Sequence, residues 1–270
     1  MTFFGPRGSR PVNGPDFGEF GGDTAMVVID GGLEPILLDL GTGLAGYSRR
    51  LAQGGELRAS CLLSHYHFDH IQGLPFFPEI DCSGNSLTIF APDVGADPLD
   101  ALFAPPYFPV SPFEFRGRVK VCSIPEGHFE LAGSEAQVTA LAVPHTDTAY
   151  GYRIEIGGVA VCYIPDHQAP PSRDYFADNA IELAYEADLV IHDAQYTLAE
   201  FEGKRQWGHS THFYAVDLAL AARAKRVALF HHDPSHSDSQ LLAMEAEVRD
   251  AFSERDIAIF AARQGQSLQL

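Results

Sequence analysis

The residues between Ser64 and His70 have the types and spacing of a metal-binding segment. Three histidines and one aspartate stand at His65, His67, Asp69 and His70, directly after an apolar run. Alternate residues of an extended chain point to the same side, so the first three side chains can lie together, and the fourth joins them if the backbone turns. Imidazole nitrogens and carboxylate oxygens are ligands of first-row divalent metals. The segment therefore predicts a metal site.

Three further apolar runs also end in potential metal ligands. They are predicted strands that precede His145, Asp166 and the pair His231-His232. Side chains at strand ends meet at the edge of a sheet, where functional groups are commonly presented. Alternation turns only one histidine of the pair toward the cluster, and the residues alone leave open which one. The combined set suits two metal ions a few ångströms apart, which activate a water and neutralise charge on the substrate.

The elements that must position these ligands are strands in the first half of the chain and alternating helices and strands near its end. Paired apolar runs around Gly31-Gly32 and around Gly157-Gly158 predict two hairpins. Two packed mixed sheets with helices outside satisfy this pattern, which predicts the α+β class. No internal repeat, linker or low-complexity run interrupts the sequence, so residues 1–270 are expected to form a single domain.

Helices and one irregular segment complete the prediction. Helices are expected over about 44–52, 93–104, 172–186 and 241–252, and after Ser210-Thr211. Residues 104–113 are rich in proline, which blocks both a regular helix and a central strand. The aromatic residues in this segment indicate a rigid lid, a wall of the substrate pocket or a dimer contact.

The composition limits the partners and the compartment. A net charge of −18 and a pI near 4.9 disfavour a large polyanion, so nucleic acid is an unexpected partner. The mean hydropathy of −0.06 is that of an ordinary soluble protein. No apolar run reaches the ~18 residues of a membrane helix. With four cysteines outside any CxxC pair and no evident signal peptide, we expect a cytoplasmic protein with reduced thiols.

The ligand pattern resembles that of the metallo-β-lactamase superfamily. The resemblance extends over nearly the whole chain and implies an αββα sandwich with a dinuclear site at the sheet edges. It also favours His231 over His232, because the family's ligand directly follows the apolar strand. The implied ligands are His65, His67 and His145 for the first metal and Asp69, His70 and His231 for the second, with Asp166 bridging.

A second motif resembles one branch of that superfamily. The segment Trp207-Gly208-His209-Ser210-Thr211 is similar to the His-Ser-Thr motif of ribonuclease Z, and Ile191–Ala194 and Gly73–Pro75 match as well. The resemblance implies that His209 contacts the phosphate or assists the leaving oxygen, which an imidazole can do as a proton donor. The alternative is a helix-capping loop in which His209 is incidental. Asp69 and His209 are the predicted catalytic residues.

These observations predict a dinuclear metal-dependent phosphodiesterase that acts on a small, possibly cyclic, phosphodiester or nucleotide. Zinc is the expected metal, and the mixed nitrogen and oxygen ligands also admit manganese or iron. The chain lacks the basic, glycine-rich arm with which ribonuclease Z binds transfer RNA. The alternatives are a lactonase or β-lactamase-like hydrolase of a C–O or C–N bond, and a binding protein with a degenerate site. A homodimer is implied by the resemblance alone.

Overall fold

Two mixed sheets form the centre of the computed structural model, which describes residues 1–52, 56–95, 98–106, 108–110, 114–172 and 175–270. The first sheet has the order β1-β2-β3-β4-β5-β6, antiparallel as far as β3 and parallel beyond it. Its strands are β1 (Thr2–Gly5), β2 (Met26–Ile29), β3 (Ile36–Leu38), β4 (Arg58–Leu62), β5 (Ser86–Ala91) and β6 (Arg118–Ser123).

The second sheet has the order β13-β12-β11-β10-β9-β8-β7, with β10 to β13 parallel and β7 to β10 antiparallel. Its strands are β7 (Gly127–Leu131), β8 (Ala136–Val143), β9 (Ala149–Ile156), β10 (Val159–Ile164), β11 (Leu189–Asp193), β12 (Arg226–Phe230) and β13 (Ala258–Ala261). Both predicted hairpins, β2–β3 and β9–β10, are present as antiparallel pairs.

Helices cover the outer face of each sheet. They are α1 (Leu44–Leu51), α2 (Phe68–Ile71), α3 (Pro98–Leu102), α4 (Asp178–Ala184), α5 (Leu198–Lys204), α6 (His212–Ala221) and α7 (Asp238–Ala251), with 3-10 turns at Pro15–Phe17, Leu74–Phe76 and Pro78–Asp81. Helix α1 packs on the first sheet, and α4, α6 and α7 pack on the second. None of the helices in the described ranges is long and apolar enough to cross a membrane.

The layer between the two sheets is apolar. Phe3, Val27 and Leu38 from the first sheet pack with Tyr163 and Phe230 from the second, and all five are fully buried. Burying the inner face of each sheet against the other is the main stabilising interaction of such a sandwich. The predicted αββα arrangement of the α+β class is therefore confirmed.

Three predicted helices have different bounds. The helix expected over 93–104 is shorter, because the Asp93 side chain accepts a hydrogen bond from the Gly95 amide and forms a turn there. The helix expected over 172–186 begins only at Asp178. Helix α7 begins earlier than predicted, since Ser237 and Gln240 form a capping box. Positions 96–97, 107, 111–113 and 173–174 lie outside the described residues, so the prediction for 104–113 is only partly covered.

Candidate metal centre

The predicted ligands lie together at one edge of the sandwich. Strands β10 and β12 run parallel, so their carboxyl ends bring Asp166 and His231 to the same edge. Strand β8 points the same way, because two antiparallel steps separate it from β10, and it delivers His145 there. From the facing sheet, β4 delivers His65 and the short helix α2 turns His70 inward. The expected backbone turn after His67 is thus a helix.

Three groups of potential ligand atoms lie in this cluster, of which two share no residue and the third, Asp166, His209 and His231, overlaps both. Within each group the ligand atoms lie within 4.8 Å of one another. Asp166 belongs to the first and lies beside the second, with Oδ1 at 3.0 Å from His70 Nε2 and 3.2 Å from His231 Nε2. The first group is His65, His67, His145 and Asp166, and the second is Asp69, His70 and His231.

Hydrogen bonds at the Nδ1 atoms orient four of these imidazole rings. Because each partner atom accepts, each Nδ1 donates, which leaves the Nε2 lone pair of the neutral ring pointing at the cluster. The pairs are His70 with Asp39 Oδ2 at 2.7 Å, His145 with the Gly208 carbonyl at 2.8 Å, His231 with Gln195 Oε1 at 2.9 Å, and His65 with Ser64 Oγ at 3.0 Å.

The cluster fits a pair of divalent cations. His65 Nε2 and Asp166 Oδ1 are buried without any hydrogen-bond partner, an arrangement that normally costs free energy. The Nε2 atoms of His70 and His231 lie 3.2 Å apart, and when both rings are neutral with the proton on Nδ1 their lone pairs face each other. A cation relieves both problems, since it accepts lone pairs and balances the buried carboxylates.

Electrostatics favour the ligand forms of Asp166 and His65, whereas the pKa of His70, which burial alone would lower, is raised by the carboxylates of Asp166, Asp69 and Asp39. Burial would raise the pKa of the Asp166 carboxyl, but the imidazoles of His231, His70 and His65 hold it well below its ordinary value. Burial also lowers the pKa of His65 well below its usual range, and the neighbouring His70 adds to that effect. An ionised carboxylate and a neutral imidazole are the ligand forms of these side chains.

His209 lies at the edge of the second group. Its ring stacks on His231 at a centroid distance of 5.0 Å, and its Nδ1 donates to Asp193 Oδ2 at 2.9 Å. Burial alone would lower the pKa of His209, but Asp193 raises it to about 9. Thr211 does cap α6, as the alternative prediction required. The capping loop and the placement of His209 in the cluster therefore occur together.

Sequence reasoning missed the residues that hold the ligands. Asp39, Asp193 and Gln195 are each at most 2% exposed, and each contacts a histidine of the cluster. A signal existed for Asp39, which interrupts an apolar run just before Gly41, and for Asp193 at the end of a buried strand. A carboxylate in such a run is rarely buried without a partner.

The remaining histidines singled out in the sequence lie elsewhere. His232 donates from Nε2 to the Ala262 carbonyl at 2.9 Å and does not reach the cluster. His167 and His192 are hydrogen-bonded to each other at 2.9 Å. His236 pairs with Glu200 and His128 with Thr139.

An αββα sandwich with such a cluster at the sheet edges defines a metal-dependent hydrolase of the metallo-β-lactamase type. The model of the family described as "Beta-lactamase superfamily domain" matches residues 35–232. The chain belongs to this superfamily, which confirms the predicted resemblance. The matched range contains every residue of the two ligand groups and His209.

Similar proteins agree with this assignment. A ribonuclease Z from Geobacillus kaustophilus is 36% identical over 84 residues, which are 31% of this chain and only 27% of that relative. A ribonuclease Z from Synechocystis is 24% identical over 239 residues, with 70% of this chain and 71% of that relative covered. A solved diphosphatase of the PhnP family has a TM-score of 0.72 at 18% identity, covering 100% of this chain and 96% of that chain. The expected similarity to the ribonuclease Z branch is confirmed.

Proposed function

We propose that this protein is a phosphodiesterase that uses two divalent metal ions, with zinc as the favoured metal. The observation that carries the proposal is the pair His209–Asp193, which holds an imidazole against the cluster, stacked on His231 at a centroid distance of 5.0 Å. Hydrolysis at a carbonyl needs charge stabilisation at one oxygen, whereas a phosphodiester carries its own negative charge into the reaction. The relatives named ribonuclease Z support the same class of reaction.

The residues divide into two sets of ligands. His65, His67 and His145 would hold one ion, and Asp69, His70 and His231 the other, with Asp166 between them. When bound, such a pair supplies an activated water and positive charge for the phosphate oxygens. Asp69 is oriented by one donor, since its Oδ2 accepts from the Ser9 amide at 2.6 Å, and the same oxygen lies 3.0 Å from His231 Nε2, beside the imidazole that would share its ion.

His209 provides a proton and a charged hydrogen bond. Asp193 occupies its Nδ1, so Nε2 is the ring nitrogen that can donate to the substrate. Asp193 is itself held, because its two oxygens accept from the amides of His167 and Gln195 at 3.1 and 3.0 Å. A ring fixed in this way can donate to the leaving oxygen or to an equatorial phosphate oxygen.

The substrate that fits best is small. The net charge of −18 opposes association with a long polyanion, whereas a single phosphodiester finds local positive charge at the centre. The solved diphosphatase with the same fold supports a compact phosphorylated substrate. A small cyclic or linear phosphodiester or nucleotide is therefore the proposed substrate, in preference to transfer RNA.

The test compares three substrates on the zinc-loaded protein. We expect turnover of bis-p-nitrophenyl phosphate and little turnover of a lactone or a cephalosporin. His209→Ala should lower phosphodiester turnover by roughly 10²–10⁴-fold while the metal content stays the same. His128→Ala is the matched control, because that imidazole lies on β7 and bonds only to the Thr139 side chain among the contacts described for it.

Two results would contradict the proposal. Turnover of the lactone or cephalosporin without turnover of the phosphodiester would favour hydrolysis of a C–O or C–N bond. Equal loss of metal and activity in His209→Ala would make that residue structural. Elemental analysis should give two ions per chain, and size-exclusion chromatography tests the expected homodimer.

A further inference from the structure

The chain near the N-terminus runs directly against the turn that carries His231. The Gly8 amide donates to the His232 carbonyl at 3.0 Å, and the His232 amide donates to the Pro6 carbonyl at 3.0 Å. On its other side, Arg7 forms an isolated parallel bridge with Thr24. This segment is therefore fixed between Thr24, which precedes β2, and the turn after β12.

The Arg7 side chain holds that turn from within the protein. It is fully buried, and its Nη1 donates to the carbonyl oxygens of Asp233 at 3.2 Å and His236 at 2.7 Å, while Nε donates to the Gly21 carbonyl at 2.8 Å. Nη2 lies 3.7 Å from Asp238 Oδ1. Burial lowers the pKa of Arg7 to about 10, so the guanidinium stays charged at neutral pH. A rigid planar fork with donors in several directions suits this arrangement.

The two residues after Arg7 touch the second group of ligands. The Ser9 amide donates to Asp69 Oδ2 at 2.6 Å, and Ser9 Oγ accepts from Gln195 Nε2 at 3.1 Å. The Oε1 of the same Gln195 accepts from His231 Nδ1 at 2.9 Å. A Cβ at Gly8 would overlap the His231 ring. One short segment thus contacts a carboxylate and an imidazole of the same group.

His231 depends on such support. Its φ of 58° is in the left-handed region, which a non-glycine residue adopts only where the surroundings hold it. The backbone bonds to the neighbouring His232, the Gln195 contact and the close approach of Gly8 supply that support.

We propose that Arg7 anchors Gly8 and Ser9 so that this segment positions Asp69 and His231 for the second metal ion. Arg7 is a positioning residue, since it acts through the segment and the turn that it joins. The inference rests on the proposed metal-dependent function and adds a residue that sets the affinity of one of the two ions. The first group, formed by His65, His67, His145 and Asp166, does not contact this segment through any described hydrogen bond.

The test is a zinc titration of Arg7→Lys against a chromophoric chelator. A lysine ammonium is a point donor and cannot reproduce the planar fork, so the turn should shift while the charge remains. We expect one of the two zinc equivalents to bind roughly 10–100-fold more weakly, and the other to bind as in the unchanged protein. Excess zinc should restore phosphodiester turnover. Gly8→Ala should weaken the binding of the same zinc equivalent. It is the test variant if Arg7→Lys does not fold.

Arg153→Lys is the matched control, because Arg153 also donates to two carbonyls, those of Leu183 and Tyr185, and has no described hydrogen bond to either ligand group. It should leave both equivalents unchanged. In a double-mutant cycle with Asp69→Ala, the effect of Arg7→Lys should disappear. Unchanged binding of both equivalents in Arg7→Lys and in Gly8→Ala, or equal weakening of both equivalents, would overturn the inference. Zinc binding without phosphodiester turnover in the unchanged protein would instead refute the proposed function alone.

Discussion

Replacing Asp39 with asparagine tests the hydrogen bonds that orient the cluster. The Asp39 carboxylate is fully buried and accepts four hydrogen bonds: from the Ser64 amide at 2.7 Å, Ser64 Oγ at 3.0 Å, His70 Nδ1 at 2.7 Å and Tyr163 Oη at 2.7 Å. Asparagine has the same shape, but one of its two terminal atoms becomes a donor. In either orientation, the NH2 group of the asparagine then faces at least one group that donated a hydrogen bond to the carboxylate.

The magnitude follows from the number of bonds lost. If the amide nitrogen replaces Oδ2, the bonds from His70, Tyr163 and the Ser64 hydroxyl are affected, and the flipped amide opposes the Ser64 N–H instead. The flipped amide loses only the bond from the Ser64 N–H and is therefore favoured. A buried hydrogen bond to a charged group contributes about 1.5–3 kcal/mol, so the substitution should destabilise the fold by at least that amount. The His70 ring then donates to a neutral amide oxygen instead of a carboxylate, which is a weaker hydrogen bond and should weaken metal binding by roughly 10–100-fold.

Two measurements on Asp39→Asn separate these effects. Thermal unfolding of the metal-free protein reports the loss of stability, and zinc titration of the folded protein reports the loss of affinity. Tyr163→Phe is the matched control, because it removes one bond to the same carboxylate and leaves the bond from His70. It should lower the free energy of unfolding and keep the zinc affinity. A zinc affinity for Asp39→Asn equal to that of the unchanged protein would refute the argument.

Three further predictions concern the first group of ligands, the metals and a distant ion pair. Gly208→Ala should weaken zinc binding, because φ is 87° and a Cβ would lie 2.5 Å from Cε1 of His145; an unchanged titration would contradict this. Removing metal with a chelator should lower the melting temperature, since a ligand at 100 times its Kd adds about 2.7 kcal/mol; added zinc should restore it. Asp188 has a pKa held low by Lys225, so Asp188→Asn should destabilise the protein at pH 7 and lose that effect as the pH falls below about 4; an effect independent of pH would be inconsistent.

The positions of the elements around the ligands followed from local patterns in the sequence. An apolar run that ends at His65, and similar runs before His145 and Asp166, can be recognised because alternation and strand length are properties of neighbouring residues. The superfamily resemblance rested on the same runs, and the family match confirms it. Helix bounds were less accurate where a turn such as that at Asp93 competes with the helix.

The choice between His231 and His232 could not be made from local sequence patterns. Neighbouring residues alone left the choice open, and the resemblance favoured His231. In the structure His231 turns toward the cluster in a left-handed conformation, while His232 donates to Ala262. Whether the cluster residues act as metal ligands stays a prediction for the titrations above.

The sequence by itself determined the superfamily, the layered fold and the residue types at the centre, because each depends on short runs of the chain. Only the tertiary structure decided which partners hold those residues. Asp39 accepts a hydrogen bond from His70, 31 positions away in sequence, and Asp69 accepts one from the Ser9 amide, 60 positions away. Such hydrogen bonds join segments that are distant in sequence, and no local periodicity encodes them. They exist because burying a polar group requires a partner, wherever along the chain that partner lies.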